Sequence, residues 1–165
     1  MPLSSSPQIE IRHATAEEAA SIANLLYESF VAFQSLYTEG GFIATTPSAQ
    51  QVLERMRAGP VWTVLRDGQV LGTAAVVVKG KSAYIRGMAV LPSERGTGMG
   101  SALLQHVEDW AMNSGCVRLF LSTTPFLIEA IRLYERFGFR RTDEGPHDLL
   151  GTPLFTMEKT ISPRN

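Results

Sequence analysis

A glycine-rich turn at residues 95–100 constrains the fold of this chain more than any other stretch. The apolar run over residues 83–91 predicts a β-strand, which Pro92 ends because proline has no N–H to donate to a sheet. Apolar residues recur at helical spacing over 101–113, so an amphipathic helix follows the turn. Strand, turn and helix N-terminus in this order form an anion cradle, and Arg95 adds a cationic fork suited to phosphate.

Two common nucleotide-binding loops do not fit this turn. A P-loop requires Gly-Lys-Ser/Thr, whereas Gly100 is followed by Ser101 and an alanine. A dinucleotide fingerprint counted from Gly96 and Gly98 would need its third glycine at Ser101, and the next strand ends at 121–123 without an acid. A purely structural turn remains the alternative if this stretch is judged alone.

Two short patterns in the sequence are shared with one protein family. The first, Arg/Gln-x-x-Gly-x-Gly/Ala, falls on Arg95, Gly98 and Gly100. The second, Ala-x-x-Leu-Tyr-x-x-x-Gly-Phe, falls on Ala130, Leu133, Tyr134, Gly138 and Phe139. Two independent motifs in this order rarely arise by chance, and the chain resembles the GNAT superfamily of N-acetyltransferases.

The order of elements predicts an α/β (α+β) protein with a mixed sheet. Asp67-Gly68 predicts a hairpin between strands at 61–66 and 69–79, and the helix after the glycine turn predicts a parallel pair of flanking strands. With 165 residues we expect one domain over 1–165, of which residues 1–8 form a flexible lead-in. The resemblance implies six or seven mostly antiparallel strands, helices on both faces, and a splayed parallel pair.

Three element boundaries are predicted from local signals. Gly40-Gly41 predicts a loop over residues 34–45. Thr46-Pro47 and Thr124-Pro125 each predict the start of a helix, because proline is favoured in the first turn.

The resemblance implies that acetyl-CoA is the cofactor and lies between the splayed strands. The strand before the turn would offer main-chain groups to the thioester and pantetheine, and the turn would hold the pyrophosphate. The residues implied for cofactor binding are Met88, Ala89, Val90, Arg95, Gly96, Thr97, Gly98, Met99, Gly100, Ser101, Tyr134 and Phe137.

Two groups are candidates for the chemistry of acetyl transfer. The backbone N–H of Met88 would stabilise charge on the thioester oxygen. Tyr134, by its match to the family motif, would protonate the leaving thiolate, because a phenol is protonated at neutral pH. Helical spacing alone would make Tyr134 a core tyrosine.

The general base is left open. Alternation places Tyr84 and Arg86 on one side of their strand with Met88, but neither is a good base at neutral pH. Glu28, Glu39 or a water chain could serve, and solvated surface is the alternative for both carboxylates.

The acceptor site is expected to combine one cation with aromatic residues. Arg86 would anchor a carboxylate or phosphate, with an ordinary ion pair as the alternative. Leu127 replaces an asparagine of the family pattern, so one polar contact to the cofactor is either missing or supplied by Ser122, Thr123 or Thr124. The predicted substrate-binding set is Phe30, Tyr37, Phe42, Tyr84, Arg86 and Ser122.

Composition narrows the function classes. A net charge of −1 offers no basic field for nucleic acid or an anionic membrane. The lone Cys116 allows no internal disulfide, and its apolar setting predicts a buried thiol. No signal pattern or long apolar run is seen, so the cytoplasm is expected, and the scattered histidines predict no metal.

These observations predict an N-acetyltransferase acting on a small-molecule amine by direct transfer. A non-catalytic acyl-CoA-binding sensor of the same fold is the rival, and a protein lysine or N-terminal amine is a third alternative. The resemblance also allows a homodimer.

Overall fold

A computed structural model describes residues 8–164, so nearly all of the predicted lead-in at 1–8 lies outside the described residues. The α-helices in this range are α1 (Ala19–Phe30), α2 (Glu39–Thr45), α3 (Ala49–Ala58), α4 (Met99–Asn113) and α5 (Ile128–Arg136). The strands are β1 (Glu10–His13), β2 (Val61–Arg66), β3 (Gln69–Lys79), β4 (Ser82–Val90), β5 (Arg118–Thr123), β6 (Arg140–Thr142), β7 (Asp148–Leu149), β8 (Thr152–Pro153) and β9 (Phe155–Thr160).

Seven strands form one mixed sheet in the order β1-β2-β3-β4-β5-β9-β6, and β7 pairs with β8 as a separate hairpin. The β4–β5 pair is parallel and the other neighbours in the large sheet are antiparallel. Pairing between β4 and β5 covers Ser82–Tyr84 against Arg118–Phe120 and then stops, so the strands separate beyond Tyr84. The α/β class, the mostly antiparallel seven-stranded sheet and the splayed pair are therefore confirmed.

Two apolar cores lie on opposite faces of the sheet. Ala74 and Ala75 are adjacent on β3 and enter different cores, because successive side chains of a strand point to opposite faces. The first core packs α4, through Leu103 and Leu104, and part of α5 against one face. The second packs α1 and α3 against the other face, which confirms helices on both sides.

A β-bulge interrupts the alternation of β4. Thr73 pairs with Ala89 and Ala75 with Arg86, so β4 holds one extra residue between these pairs. Gly87 lies in this bulge at φ 58°, where a residue with a Cβ would be strained. The bulge changes the side of the sheet that the following side chains face. Met88 packs against the α4 core, whereas Arg86 lies beside α3. The predicted placement of Tyr84 and Arg86 on the same side as Met88 is therefore wrong.

Local signals misplaced three boundaries. Residues 39–45 form α2 instead of a loop, because the Thr38 hydroxyl accepts the Gly41 N–H at 3.0 Å and caps the helix. Helix α3 begins at Ala49 with Ser48 as its cap, two residues after Pro47. Helix α5 begins at Ile128, so Phe126 lies in the turn before it. Over residues 8–164, no helix is both long and apolar enough to cross a bilayer.

Candidate active site

The separation of β4 from β5 opens a cleft of about 840 Å³. Its walls are the end of β4, the glycine turn at 95–100, the turn at 126–127 and one side of α5. Predicted site residues that line it are Phe30, Met88, Ala89, Val90, Arg95, Gly96, Gly98, Gly100, Ser101 and Tyr134. The structure thus brings together most of the predicted cofactor-binding set.

The glycine turn presents backbone donors to the cleft. Gly98 caps α4 at φ 84°, in the left-handed region that glycine adopts without strain. Ala102 N–H makes the first helical hydrogen bond, to Gly98 O at 3.0 Å. The earlier N–H groups, on Met99, Gly100 and Ser101, therefore have no partner within the helix, and the helix dipole favours an anion beside them.

Three polar contacts hold this turn in place. Arg66 forms a two-pronged ion pair with Glu94, at 2.9 and 2.8 Å, and its hydrogen bonds lower the pKa of that carboxyl. The Thr97 hydroxyl donates to Glu94 O at 2.6 Å. Arg95 donates from Nη2 to Ser29 O at the end of α1, at 3.3 Å. The cradle is thereby tied to β2 and to α1.

Gly100 lies against α5. A Cβ at this position would lie 2.8 Å from Leu133 Cδ2, so a larger residue would require the Leu133 side chain to move. Met99 beside it is 3 % exposed and belongs to the core. Its side chain is therefore structural, and its contribution to the cradle is the backbone N–H.

Tyr134 lies on the inner side of α5. It is 8 % exposed, packs near Phe139 with ring centroids 5.8 Å apart, and lines the cleft. Burial raises the pKa of its phenol to about 12. The phenol is therefore a neutral proton donor at the pH of most enzymes.

The backbone of Met88 lies at the cleft. Gly87 and Met88 fall within the bulge, outside the paired register of β4 with β3, and pairing to β5 has already ended at Tyr84. Met88 lines the cleft, which is where an oxyanion donor is needed.

An aromatic cluster covers the cleft on the α1 side. Phe33 and Phe126 line the cleft and stack with centroids 6.2 Å apart, and Tyr37 contacts Phe126 edge-on at 4.8 Å. Tyr37 and Phe42 are themselves buried, 8 % and 7 % exposed, and support the lining residues from behind. Sequence reasoning missed Phe126 because the boundary of α5 was placed before it.

Eight predicted residues lie outside the cleft lining: Met99, Tyr37 and Phe42 are described above, Arg86 lines a second cavity, and four more have other contacts. Tyr84 packs on Phe120 with centroids 4.9 Å apart, and Ser122 pairs with Thr156 of β9. Phe137 joins the core beneath Lys159 Nζ, 4.1 Å from its ring. The hydroxyl of Thr97 is used by the turn itself.

A second cavity of about 410 Å³ lies beside α2 and α3, and Arg86 lines it together with Arg55. Arg55 was missed, although it follows the buried Val52 by three residues and so shares its inward face. The two candidate bases, Glu28 and Glu39, are exposed and line neither cavity. Among the described residues, no three His, Cys, Asp or Glu side chains form a metal-binding group.

Comparisons with known proteins agree with this geometry. The acetyltransferase (GNAT) family model matches residues 21–139. The uncharacterized N-acetyltransferase YjgM of Escherichia coli (strain K12) is 28% identical over 139 residues, which cover 81% of this chain and 83% of YjgM. The IAA acetyltransferase of Azospirillum brasilense is 35% identical over 100 residues, covering 58% of this chain and 64% of that enzyme.

Solved structures show the same fold. PaiA N-acetyltransferase from Thermoplasma acidophilum, in complex with coenzyme A, has a TM-score of 0.80 at 19% identity and covers 93% of this chain and 99% of its own. The ribosomal-protein-S18-alanine N-acetyltransferase from Escherichia coli has a TM-score of 0.69 at 20% identity, with 96% and 97% covered. Since the family match at residues 21–139 includes the glycine turn, the end of β4 and Tyr134, this chain belongs to the acetyltransferase (GNAT) family.

Proposed function

We propose that this chain transfers an acetyl group from acetyl-CoA to the primary amine of a small molecule. One observation carries the proposal: the N-terminus of α4, which has no side-chain cap, the backbone of Met88 in the bulge and the phenol of Tyr134 all border a single cleft. The N-terminus of α4 suits the phosphates of the cosubstrate, and the Met88 backbone and the Tyr134 phenol suit an acyl thioester. Family membership supports transferase chemistry, and the coenzyme A bound to PaiA supports the cosubstrate.

Each group then has a defined task. Arg95 and the backbone of Gly98–Ser101 bind the pyrophosphate. The Met88 N–H donates to the thioester oxygen as negative charge builds there. Tyr134 gives its proton to the departing sulfur.

Direct attack of the amine on the thioester transfers the acetyl group without a covalent enzyme intermediate. The amine nitrogen forms a bond to the acetyl carbon while the carbon–sulfur bond breaks. The sulfur takes the proton of Tyr134, the amine gives up one proton, and the Tyr134 phenolate regains a proton from solvent before the next turnover. Since Glu28 and Glu39 line neither cavity, we assign that proton to water.

A small-molecule acceptor fits the size of the second cavity, about 410 Å³ beside the strand end. The Azospirillum relative is named for a small molecule, whereas the Escherichia coli structural neighbour is named for a ribosomal protein. The test below therefore includes peptide acceptors, which represent a protein acceptor. The single domain, the cytoplasmic location and the homodimer stay predictions from the sequence.

The test measures thiol release from acetyl-CoA with amino acids, polyamines, aminoglycosides, lysine peptides and peptides with free N-termini. A reaction without acceptor corrects for hydrolysis, and calorimetry measures acetyl-CoA binding in parallel. We expect release with at least one small amine and saturation in both substrates.

Two outcomes would contradict the proposal. Tight acetyl-CoA binding without release across the whole panel would favour the acyl-CoA sensor. Release restricted to peptides would replace the small-molecule acceptor with a protein.

A further inference from the structure

The second cavity is built around two arginines on different elements. Arg55 comes from α3 and Arg86 from β4, and both line the cavity of about 410 Å³. Arg86 points there because it pairs with Ala75, whose side chain faces the α1 and α3 side of the sheet. Arg55 reaches the same point, since its Nη1 lies 2.6 Å from where a Cβ on Gly87 would stand.

Neither guanidinium is neutralised by the described part of the chain. Arg86 Nε is buried and has no hydrogen-bond partner. Burial and then the charge of Arg86 lower the pKa of Arg55, and no carboxylate is among the groups that act on it. Glu54 borders the same cavity, yet the salt bridges within 8–164 include neither arginine.

Other arginines of this protein, in contrast, form hydrogen-bonded ion pairs with glutamates. Arg66 holds Glu94 with two hydrogen bonds, and Arg118 holds Glu158 and Glu144 at 2.8 and 2.7 Å. Two partly buried cations that face each other without a carboxylate are costly, because burial weakens their hydration while their repulsion persists. An anion between them would remove that cost and gain charge-assisted hydrogen bonds.

Two exposed apolar side chains border the cavity beside the polar Gln51 and Glu54. Ile43 and Leu150 line it and are 59 % and 68 % exposed. Leu150 adopts φ 49°, a strained value for leucine, and its carbonyl accepts the Thr38 hydroxyl at 2.8 Å. A rim of this kind suits an apolar group attached to the anion.

The cavity and the cleft are lined by neighbouring residues of β4. Arg86 precedes Met88 by two residues, so their Cα atoms lie within about 7 Å. Arg86 lines the cavity, and Met88, beyond the bulge, lines the cleft. This spacing places the proposed anion site next to the residue whose N–H is proposed to bind the thioester.

We propose that Arg55 and Arg86 together bind the anionic group of the acceptor, which is an amine that also carries a carboxylate or phosphate and an apolar portion. This inference rests on the proposed function and adds the acceptor class to it. Arg86 alone would be one anchor, whereas the pair with Arg55 makes a two-pronged anion site.

The test compares matched acceptors that differ in the anion alone. Leucine is set against leucinamide, and phosphoethanolamine against ethanolamine, so that carboxylate and phosphate are distinguished. Wild-type protein is expected to prefer the anionic member of one pair by at least about tenfold in kcat/KM. Arg55→Gln and Arg86→Gln should each raise KM for that acceptor by about tenfold or more, and should raise KM for the neutral acceptor by a clearly smaller factor.

Arg57→Gln is the matched control, because Arg57 is exposed on the same helix and does not line the cavity. Acetyl-CoA affinity should be the same in all variants. Circular dichroism checks folding, and if one variant does not fold the other carries the test.

The results separate failure of this inference from failure of the proposed function. Equal use of anionic and neutral acceptors, or equal losses for both in the variants, overturns the anion site while acetyl transfer stands. If no amine is acetylated, binding of inorganic phosphate and of acetate is measured by calorimetry. Binding that both glutamine variants weaken supports the site, and no binding, or binding equal in wild type and variants, overturns it.

Discussion

Tyr134 is 8 % exposed, and burial raises the pKa of its phenol to about 12. An ordinary tyrosine ionises near pH 10, so the protonated form of Tyr134 persists over a wider range. The same burial that makes this side chain part of the core also keeps its proton available. The two interpretations left open by the motif, core residue and acid, are therefore compatible.

Replacing the phenol tests this role. Tyr134→Phe should lower kcat by about 100-fold, the usual contribution of a general acid, because the sulfur would then leave without a proton donor. Acetyl-CoA affinity should change little, since the ring remains in place. Steady-state kinetics and calorimetry measure the two quantities.

Tyr27→Phe is the control, because Tyr27 is 48 % exposed and lines neither cavity. An unchanged rate in Tyr134→Phe would remove Tyr134 from the mechanism and leave it as a core residue.

At the scale of elements, the junction of the glycine turn with α4 is the proposed binding site for the phosphates of acetyl-CoA. Gly98 has a positive φ and open space around its missing Cβ, and it lines the cleft. A side chain there would therefore project towards the bound phosphates without disturbing the core.

Two glycines allow strain and obstruction to be separated. Gly98 at φ 84° and Gly68 at φ 76° both have open space, but Gly68 lies in the β2–β3 hairpin turn. Gly98→Val and Gly68→Val should each lose about 1–2 kcal/mol of unfolding free energy. Only Gly98→Val should weaken acetyl-CoA binding, by at least about tenfold, through lost phosphate hydrogen bonds.

Calorimetric titration with acetyl-CoA and urea unfolding measure these effects. Equal acetyl-CoA affinity in the two variants would show that the cradle is not at this turn.

At the scale of the whole molecule, arginine–glutamate pairs connect different elements of the fold. Hydrogen bonds from Arg12, Arg66 and Arg118 lower the pKa values of Glu18, Glu94 and Glu158, respectively. In the folded state these carboxyls bind protons less readily than in the unfolded chain. Their contribution to stability is thus present above their unfolded pKa, near 4.5, and is lost as the pH falls.

We therefore expect the unfolding free energy to decrease as the pH is lowered from 6 towards 3. Urea unfolding followed by the fluorescence of Trp62 and Trp110 measures it, and a single transition would support one domain. Arg66→Met should reduce the decrease, because Glu94 would lose its partner. A pH dependence unchanged by this substitution would show that the pair contributes nothing to acid sensitivity.

Local sequence signals predicted the elements that depend on local interactions. The bounds of β2 and β3 were correct because Asp67-Gly68 defines their turn. Helix α2 was missed because its two glycines oppose a helix. The structure stabilises it through Thr38, whose N–H donates to the Thr152 hydroxyl at 2.9 Å across 114 positions of the chain.

The sequence by itself indicated the fold family and the glycine turn, and it singled out Tyr134 as the candidate acid. It could do so because motifs and hydrophobic periodicity are local properties of the chain. Only the tertiary structure decided which side of β4 each residue faces. The extra residue at Gly87 reverses the alternation of side chains, and the sequence does not reveal this bulge. It also decided that Arg55 meets Arg86, because that contact requires α3 to pack beside the bulge. The site for the proposed anion is therefore a product of packing.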